Sequence, residues 1–456
     1  MISRAAERLR PGLGRGQGAG PGSGGTFRSL GRRNFRLFFA GQLTSQAGTW
    51  MQTVSVAWVV LQLTDSGVAL GVVTAARFLP VLVLGAWGGV VADRVDRWRF
   101  MLTTQIAFTV VAGAFAAAIV LDRLGVGLIV GLSVVFGLLT AVDNPTRRTL
   151  VADLVEPDEV PNAVALHSAM MTGSRVIGPA LAGVLITTVG VEWCFIINTL
   201  SYLAVIGALL AMDRGAIRPA PQVARAKGQL REGLRYVWGT PKLRDALVLL
   251  AVIGTLAFEY QVTLPLFAER TLGAGAGGFT TLYSAMSVGS VAGALLMARR
   301  ERIDLRFLVR ASWGLAFATM LLALAPNLAL ALAAIVGVGA TGVFLMSGAN
   351  ALIQVEADDR MRGRALALTA VVIIGSTPIG GPIAGWVSEQ YGARMGLVLG
   401  AVGAAAVALW VGSRGLAVDR AVDGGTTTDR SDATGATSDR TDPAPVDQPT
   451  ARPAAP

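Results

Sequence analysis

Leu328-Ala-Leu-Ala-Leu-Ala-Ala-Ile-Val-Gly-Val-Gly-Ala340 contains no polar side chain. Wound into an α-helix it is apolar on every face, whereas a helix at the surface of a water-soluble domain keeps a polar side. It sits in an apolar run, 327–350, of the length needed to cross a bilayer. Comparable runs lie before it at 35–63, 68–92, 100–121, 126–143, 163–188, 192–212, 246–268, 279–298 and 305–325, and after it at 366–388 and 393–413. The pattern predicts an all-α membrane protein with twelve transmembrane helices. Composition agrees: 53% of the residues are apolar and 15% charged, where a soluble domain carries roughly 25% charged residues. The 56 glycines suit helices that approach closely in lipid.

The segments between the runs give an orientation. With the N-terminus in the cytoplasm, the inner loops and N-terminal tail hold about 28 Lys and Arg, and the outer loops only Arg123, Arg270 and Arg394. The expected location is therefore a multi-pass protein of the cell's inner (plasma) membrane, with both termini cytoplasmic. Residues 1–33, rich in Gly and Arg, and 414–456, rich in Thr, Asp, Pro and Ala, read as disordered cytoplasmic tails. A basic connector, 213–244, separates a first half, 34–212, from a second, 245–413. Within it, Leu230-Arg-Glu-Gly-Leu-Arg-Tyr-Val-Trp238 has an amphipathic pattern suited to the inner membrane surface.

The halves repeat. Gly173-Ser-Arg-Val-Ile-Gly-Pro-Ala-Leu-Ala-Gly183 aligns without gaps to Gly375-Ser-Thr-Pro-Ile-Gly-Gly-Pro-Ile-Ala-Gly385, and Ala163-Val-Ala-Leu166 aligns to Ala365-Leu-Ala-Leu368 at the same offset. The offset spans six runs, so both copies cross in the same direction.

After the second run comes Gly89-Val-Val-Ala-Asp93-Arg94-Val-Asp96-Arg97-Trp-Arg99. It resembles the loop 2–3 signature of the major facilitator superfamily, with Gly89, Asp93, Arg94 and Arg97 in register. Asp96 and Trp98 depart from the general pattern. Asp96, with Asp143-Asn-Pro145-Thr-Arg147-Arg148 and Leu154-Val-Glu-Pro-Asp-Glu-Val-Pro-Asn162, resembles the drug and siderophore exporter branch, which includes enterobactin exporters and macrolide efflux proteins. The resemblance covers most of 34–413. It implies two parallel six-helix halves that rock about a central site. Gly89, Asp93, Arg94 and Arg97 would form a conformational latch. Asp93 suits a helix N-terminus, and Arg97 is expected to pair with Asp143. Gly173, Gly178, Pro179 and Gly183 resemble the Gly-Pro motif of antiporters in the superfamily. That motif implies a tight seam; generic small-residue packing is the alternative.

Polar residues inside the spans are the other candidates. Gln42, Ser45, Gln46, Thr49, Gln52 and Thr53 share one face of the first span. Thr255, Glu259 and Thr263 make a shorter stripe in the seventh. Either stripe lines a central cavity or packs on polar groups of another helix. Arg77, Arg175 and Glu259 lie at mid-depth, where a charge is costly and usually paired. Glu259 is expected to carry a coupling proton with an Arg as counter-charge; a static ion pair that fixes packing is the bland alternative. His167 reads as a satisfied interfacial residue.

Several classes are excluded. Lys227 and Lys242 are the only lysines and neither precedes Ser or Thr, so the chain has no Walker-type phosphate loop. One Cys and one His, Cys194 and His167, leave no Cys/His zinc site. No catalytic constellation, cofactor site or nucleic-acid partner is expected. The partners expected are a small-molecule substrate, protons and the bilayer, around a monomer. The reading is a secondary transporter, a proton-coupled exporter of small amphiphilic drugs, siderophores or secondary metabolites. A nutrient symporter and a non-transporting receptor or scaffold stand as alternatives.

Overall fold

The computed structural model describes residues 26–217, 229–300 and 303–428, with backbone only at 86, 89, 90, 92, 93, 229–230 and 415–428. The first half contains α1 (Arg33–Thr64), α2 (Gly67–Arg94), α3 (Arg97–Val120), α4 (Val126–Asp153), α5 (Val160–Thr188) and α6 (Glu192–Leu210). A short helix, α7 (Gln229–Gly239), falls on the amphipathic stretch of the connector. The second half contains α8 (Pro241–Ala257) and α9 (Tyr260–Leu266), then α10 (Gly275–Ala298), α11 (Leu305–Leu324), α12 (Leu328–Glu356), α13 (Arg362–Tyr391) and α14 (Ala393–Thr428). Among the described residues, 11 segments are long and apolar enough to span a bilayer. α1 is the twelfth: its 32 residues suffice, but its polar stripe lowers its hydropathy.

Three elements differ from the expected boundaries. α4 runs to Asp153, ten residues or about 15 Å beyond 143. Asp143 and Arg147, four apart on one face, pair within the helix and let it continue. α14 continues to Thr428, past the point where a tail without structure is expected. Ala, Leu and Arg in Arg414-Gly-Leu-Ala-Val-Asp-Arg-Ala421 are good helix formers. The seventh span is broken rather than continuous. α8 stops at Ala257, α9 starts at Tyr260, and a π-helical turn, Phe267–Thr271, completes the crossing. The N-terminal tail before Thr26 and the residues after Thr428 lie outside the described residues.

Glycine sets the spacing. Across α2 and α4, Gly88 stands against Ala141 and Gly137 against the Arg77 carbonyl. The same pair recurs in the second half, where Gly289 and Gly293 of α10 meet Val336 and Ala340 of α12. α5 and α13 carry the repeated sequence and pack in matching ways. Gly178 of α5 sits on α1, where a Cβ would lie 2.7 Å from the Ala47 carbonyl oxygen. Gly380 of α13 sits on the Thr255 carbonyl of α8. Five residues on, Gly183 meets Thr280 of α10 and Gly385 meets Gly67 of α2, each across the boundary between halves. The internal repeat is thus also a repeat of contacts: each copy holds its own half at one glycine and the opposite half at the next.

The bundle has two ends. One carries Arg32, the α2–α3 and α4–α5 loops and the connector, and is called the Arg32 end. The other carries Asp65, Gly190 and Gly392. The hydrogen bonds and ion pairs that join the halves among the described residues fall at the Asp65 end or near mid-depth.

A Cβ at Gly71 would lie 2.6 Å from the Gly381 carbonyl oxygen and 2.7 Å from the Pro382 Cα, both backbone atoms that cannot swing aside. Gly71→Val is expected to cost about 1–3 kcal/mol through overpacking. Gly131→Val, at a glycine with nothing within 4 Å, is expected to be neutral. Thermal unfolding of the purified protein in detergent, with the two variants side by side, measures the difference.

Candidate functional site

At the Arg32 end, Asp96 caps α3 by accepting the Arg99 N–H at 3.0 Å. This is the role for which the departure from Gly is suited, since a carboxylate stabilises a helix N-terminus. Arg97 donates to Asp153 at 2.7 and 2.8 Å, both side chains being nearly buried. The expected Arg97–Asp143 pair does not form. The extension of α4 brings Asp153 level with the α2–α3 loop and leaves Asp143 higher in the bundle. Asp143 is fully buried and satisfied by Thr104 Oγ1 at 2.7 Å, Gln105 Nε2 at 2.9 Å and the Arg147 guanidinium. Arg94 is exposed, Gly89 lies in α2, and the side chain of Asp93 lies outside the described residues.

The polar stripe of α1 faces protein rather than an open cavity. Gln42, Ser45, Gln46, Gln52 and Thr53 are buried. Asn198 of α6 donates to Gln52, and Thr49 and Tyr202 share a hydrogen bond of 2.9 Å. Gln46 donates to Gln42 at 3.4 Å. Gly48 explains the choice of packing: a Cβ there would strike the Asn198 and Ser201 side chains, so its absence lets α6 bring polar partners onto the stripe. In the seventh span, Thr263 is buried against Gly396 of α14 and donates to the Glu259 carbonyl at 3.1 Å. Thr255 is half-buried and bonds back to Ala251.

Glu259 stands at the break between α8 and α9. Its backbone carbonyl accepts from Val262 and Thr263, so the residue starts α9. In an unbroken helix the Glu259 N–H would donate to the Thr255 carbonyl, which here lies against Gly380. The Glu259 side chain is 3% exposed, with Oε1 and Oε2 facing Gly380 and Gly381. Oε1 has no hydrogen-bond partner, and among the described residues no Lys or Arg nitrogen comes within 4 Å of the carboxylate. The expected pairing with Arg77 or Arg175 is therefore absent. Each arginine rests on a ring instead: Arg77 lies 4.2 Å from the centre of Phe136, and Arg175 lies 5.1 Å from that of Trp50. Guanidinium groups stack on aromatic faces as well as pairing with acids, and α1 and α4 present the rings at the same depth.

Tyr283 of α10 is buried among these elements. Its ring lies 6.3 Å from Trp50, and its hydroxyl is within reach of Gln261 and close to Arg77, Arg175 and Glu259. Sequence reasoning passed over Tyr283, Trp50 and Gln261. A lone aromatic or amide in a spanning helix carries no periodic signal, although each is a polar-capable group in an apolar run.

The Gly-Pro motif divides its work. Gly178 seats α5 on α1, and Gly183 seats it on α10. Pro179 is buried within α5, and Gly173 has nothing within 4 Å. His167 is half-buried beside Phe38, but its Nδ1 has no partner among the described residues, so it is not a satisfied histidine.

The Asp65 end holds a second polar cluster that the sequence did not announce. Glu389 of α13 accepts from Ser66 Oγ at 2.7 Å and from the Val68 N–H at 2.9 Å, capping α2 from the opposite half. Arg270 pairs with Asp65 at 3.0 Å and also donates to the Asp65 carbonyl. At the other end, Arg32 and Arg28 hold Glu159 ahead of α5. The hydrogen bond to Glu159 raises the Arg32 guanidinium above its ordinary value.

This geometry matches known membrane transporters. The solved structure of the nucleoside transporter NupG superposes with a TM-score of 0.69 at 11% identity, covering 83% of this chain and 98% of that one. The Staphyloferrin A transporter of Staphylococcus aureus is 24% identical over 264 residues, 58% of this chain and 66% of its own length. The multidrug efflux pump Tap of Mycolicibacterium fortuitum is 26% identical over 374 residues, 78% of this chain and 89% of its own length. The sequence profile of the transmembrane secretion effectors matches residues 24–439, and the chain belongs to that family of the major facilitator superfamily.

Proposed function

We propose that this transporter exports small amphiphilic molecules across the plasma membrane, driven by protons moving inward. The observation that carries the reading is Glu259: a buried carboxylate without a cation, set where the seventh span breaks and where α13 of the same half presses closest. A buried charge needs a counter-charge, and the charge that no fixed cation balances is one that a proton can balance. Discontinuous spanning helices are where secondary transporters build their sites. Export is supported by the family description and by the multidrug efflux pump among the relatives. The basic loops at the Arg32 end support a cytoplasmic position for that end and for both termini.

On this reading the halves 34–212 and 245–413 rock about the seam formed by α2 with α13 and α5 with α10, with the connector 213–244 at the cytoplasmic surface. The Asp65–Arg270 and Glu389–α2 contacts hold the outer end closed while substrate enters from inside. Gly89, Asp93, Arg94 and Arg97, with Asp153 as partner of Arg97, act as the inner latch. The protein works as a monomer, since each half supplies half of the seam.

Cells expressing the wild type are expected to extrude at least one amphiphilic dye from a panel of anionic, neutral and cationic ones, and a protonophore to abolish the extrusion. Glu259→Gln is expected to lose uphill efflux while retaining downhill exchange in proteoliposomes. Full proton-driven efflux by Glu259→Gln would remove the carboxylate from the coupling role. The latch has its own test. Arg97→Glu and Asp153→Arg should each lower efflux about tenfold or more, and the double exchange should recover much of it, because a buried pair broken on one side leaves an uncompensated charge. An unrecovered double variant would show that the two residues do not act as a pair.

A further inference from the structure

The mid-depth of the bundle holds two guanidinium groups that nothing neutralises. Among the described residues neither Arg77 nor Arg175 has a carboxylate within 4 Å. Other intramembrane acids are accounted for: Asp143 has Arg147, and Asp153 has Arg97. Glu259 turns toward the glycines of α13 rather than toward either arginine.

Arg175 is also exposed, and the face it occupies says to what. It continues the line of Ser168 and Thr172 along α5, the first exposed and the second half-buried. The opposite face carries exposed Ile177, Leu181 and Val184, the side chains expected against lipid. Counting 1.5 Å per residue back from Thr188, Arg175 lies roughly 20 Å from the Asp65 end of α5. A cation at that depth on a polar face belongs to a water-filled space rather than to hydrocarbon. Arg77, half-buried at similar depth on α2, rests on Phe136, and Tyr283 of α10 lies within electrostatic reach of both guanidinium groups. Around the two guanidinium groups lie Phe136, Trp50 and Tyr283, the last 6.3 Å from Trp50, with Phe136 and Tyr283 buried.

We infer that the transported amphiphile carries a carboxylate, which Arg77 and Arg175 receive while the rest of the molecule lies on Trp50, Phe136 and Tyr283. The inference names the substrate class of the site proposed above and rests on that site being the transport pathway. The chemistry is that of carboxylate recognition by guanidinium forks, which donate two parallel hydrogen bonds to a planar acid. The aromatic rings now under the guanidinium groups keep them in place without a competing anion, so the site needs no ion pair broken before binding. A cationic amphiphile would meet two like charges there.

The test is calorimetric titration of the purified protein in nanodiscs, with empty nanodiscs as the blank, using three naphthalene probes of one shape: 2-naphthoate, 2-naphthylmethylammonium and 2-naphthylmethanol. The acid is expected to bind about tenfold tighter than the other two, and Arg77→Gln and Arg175→Gln each to lower its affinity about tenfold. Arg310→Gln, whose side chain only reaches back to the Arg306 carbonyl, is expected to change nothing. Arg175→Lys, keeping the charge without the fork, is expected to recover part of the loss, which a folding defect would not. Equal or tighter binding of the ammonium or the alcohol, no binding of the acid, or acid affinity that survives both Gln variants overturns the inference. A protein that extrudes a dye of the panel but shows no preference for the acid keeps the export reading and loses this one. Arginine-dependent acid binding without any efflux does the reverse.

Discussion

Close approach of backbones without side chains between them is the contact on which the rest of this structure depends. In lipid no hydrophobic force pushes helices together, so association rests on van der Waals contact and interhelical hydrogen bonds. Glycine maximises the first. α13 is the clearest case, because Gly380 presses on the Thr255 carbonyl, Gly381 faces α2, and Gly385 meets Gly67. One helix therefore fixes the seventh span of its own half and the second span of the other. The break at Glu259 follows from the first of these contacts. A carbonyl held against a neighbouring backbone is poorly placed to receive the N–H four residues later, and the span resumes as a new helix.

The charged groups inside the bundle sort by how they are balanced. Asp143 and Asp153 have cations and, at Asp143, two neutral donors as well. Such groups are neutralised by a fixed cation, and they serve to fix α3 against α4. Glu259, Arg77 and Arg175 have no ionic partner among the described residues, and all three lie at mid-depth along their helices. An unbalanced charge at that depth is expensive in a protein selected for stability alone. Its persistence is an argument for species that come and go, a proton for the acid and a bound anion for the bases.

Much of the architecture was legible because it rests on signals that accumulate over many residues. Twelve apolar runs and the ungapped match between 173–183 and 375–385 depend on no single side chain, and the structure turns that match into equivalent contacts. The charge of Arg97 was legible too, but its partner was not. The apolar run of the fourth span ends at the charge of Asp143, and only the folded helix shows that Arg147, one turn later, neutralises it and lets α4 continue. The α1 stripe failed for a different reason. Periodicity shows that Gln42 to Thr53 share a face, but not whether that face meets water or Asn198. Gly48 was the available hint, a small residue on the helix carrying the stripe, where α6 comes close.

The two ends of the seam are built from different materials, and the difference bears on how the molecule moves. At the Asp65 end the joint between halves is mostly glycine contact with an exposed ion pair, Asp65–Arg270, and a helix cap from Glu389. Exposed pairs contribute little individually, and glycine contacts are lost over a small displacement. At the Arg32 end the nearly buried pair Arg97–Asp153 lies within the first half, and Arg32, just ahead of α1, holds Glu159. Breaking a nearly buried pair such as Arg97–Asp153 leaves an uncompensated charge and is costly. On the proposed transport cycle the cheap motion is one that parts the Asp65 end along its glycine seam, with release of the Arg97–Asp153 latch the costlier step, a rotation of rigid halves rather than bending of single helices. The broken seventh span is the exception, since α8 and α9 already have a joint between them. A local change there, at the carboxylate that lacks a counter-charge, is the step best placed to bias the rotation.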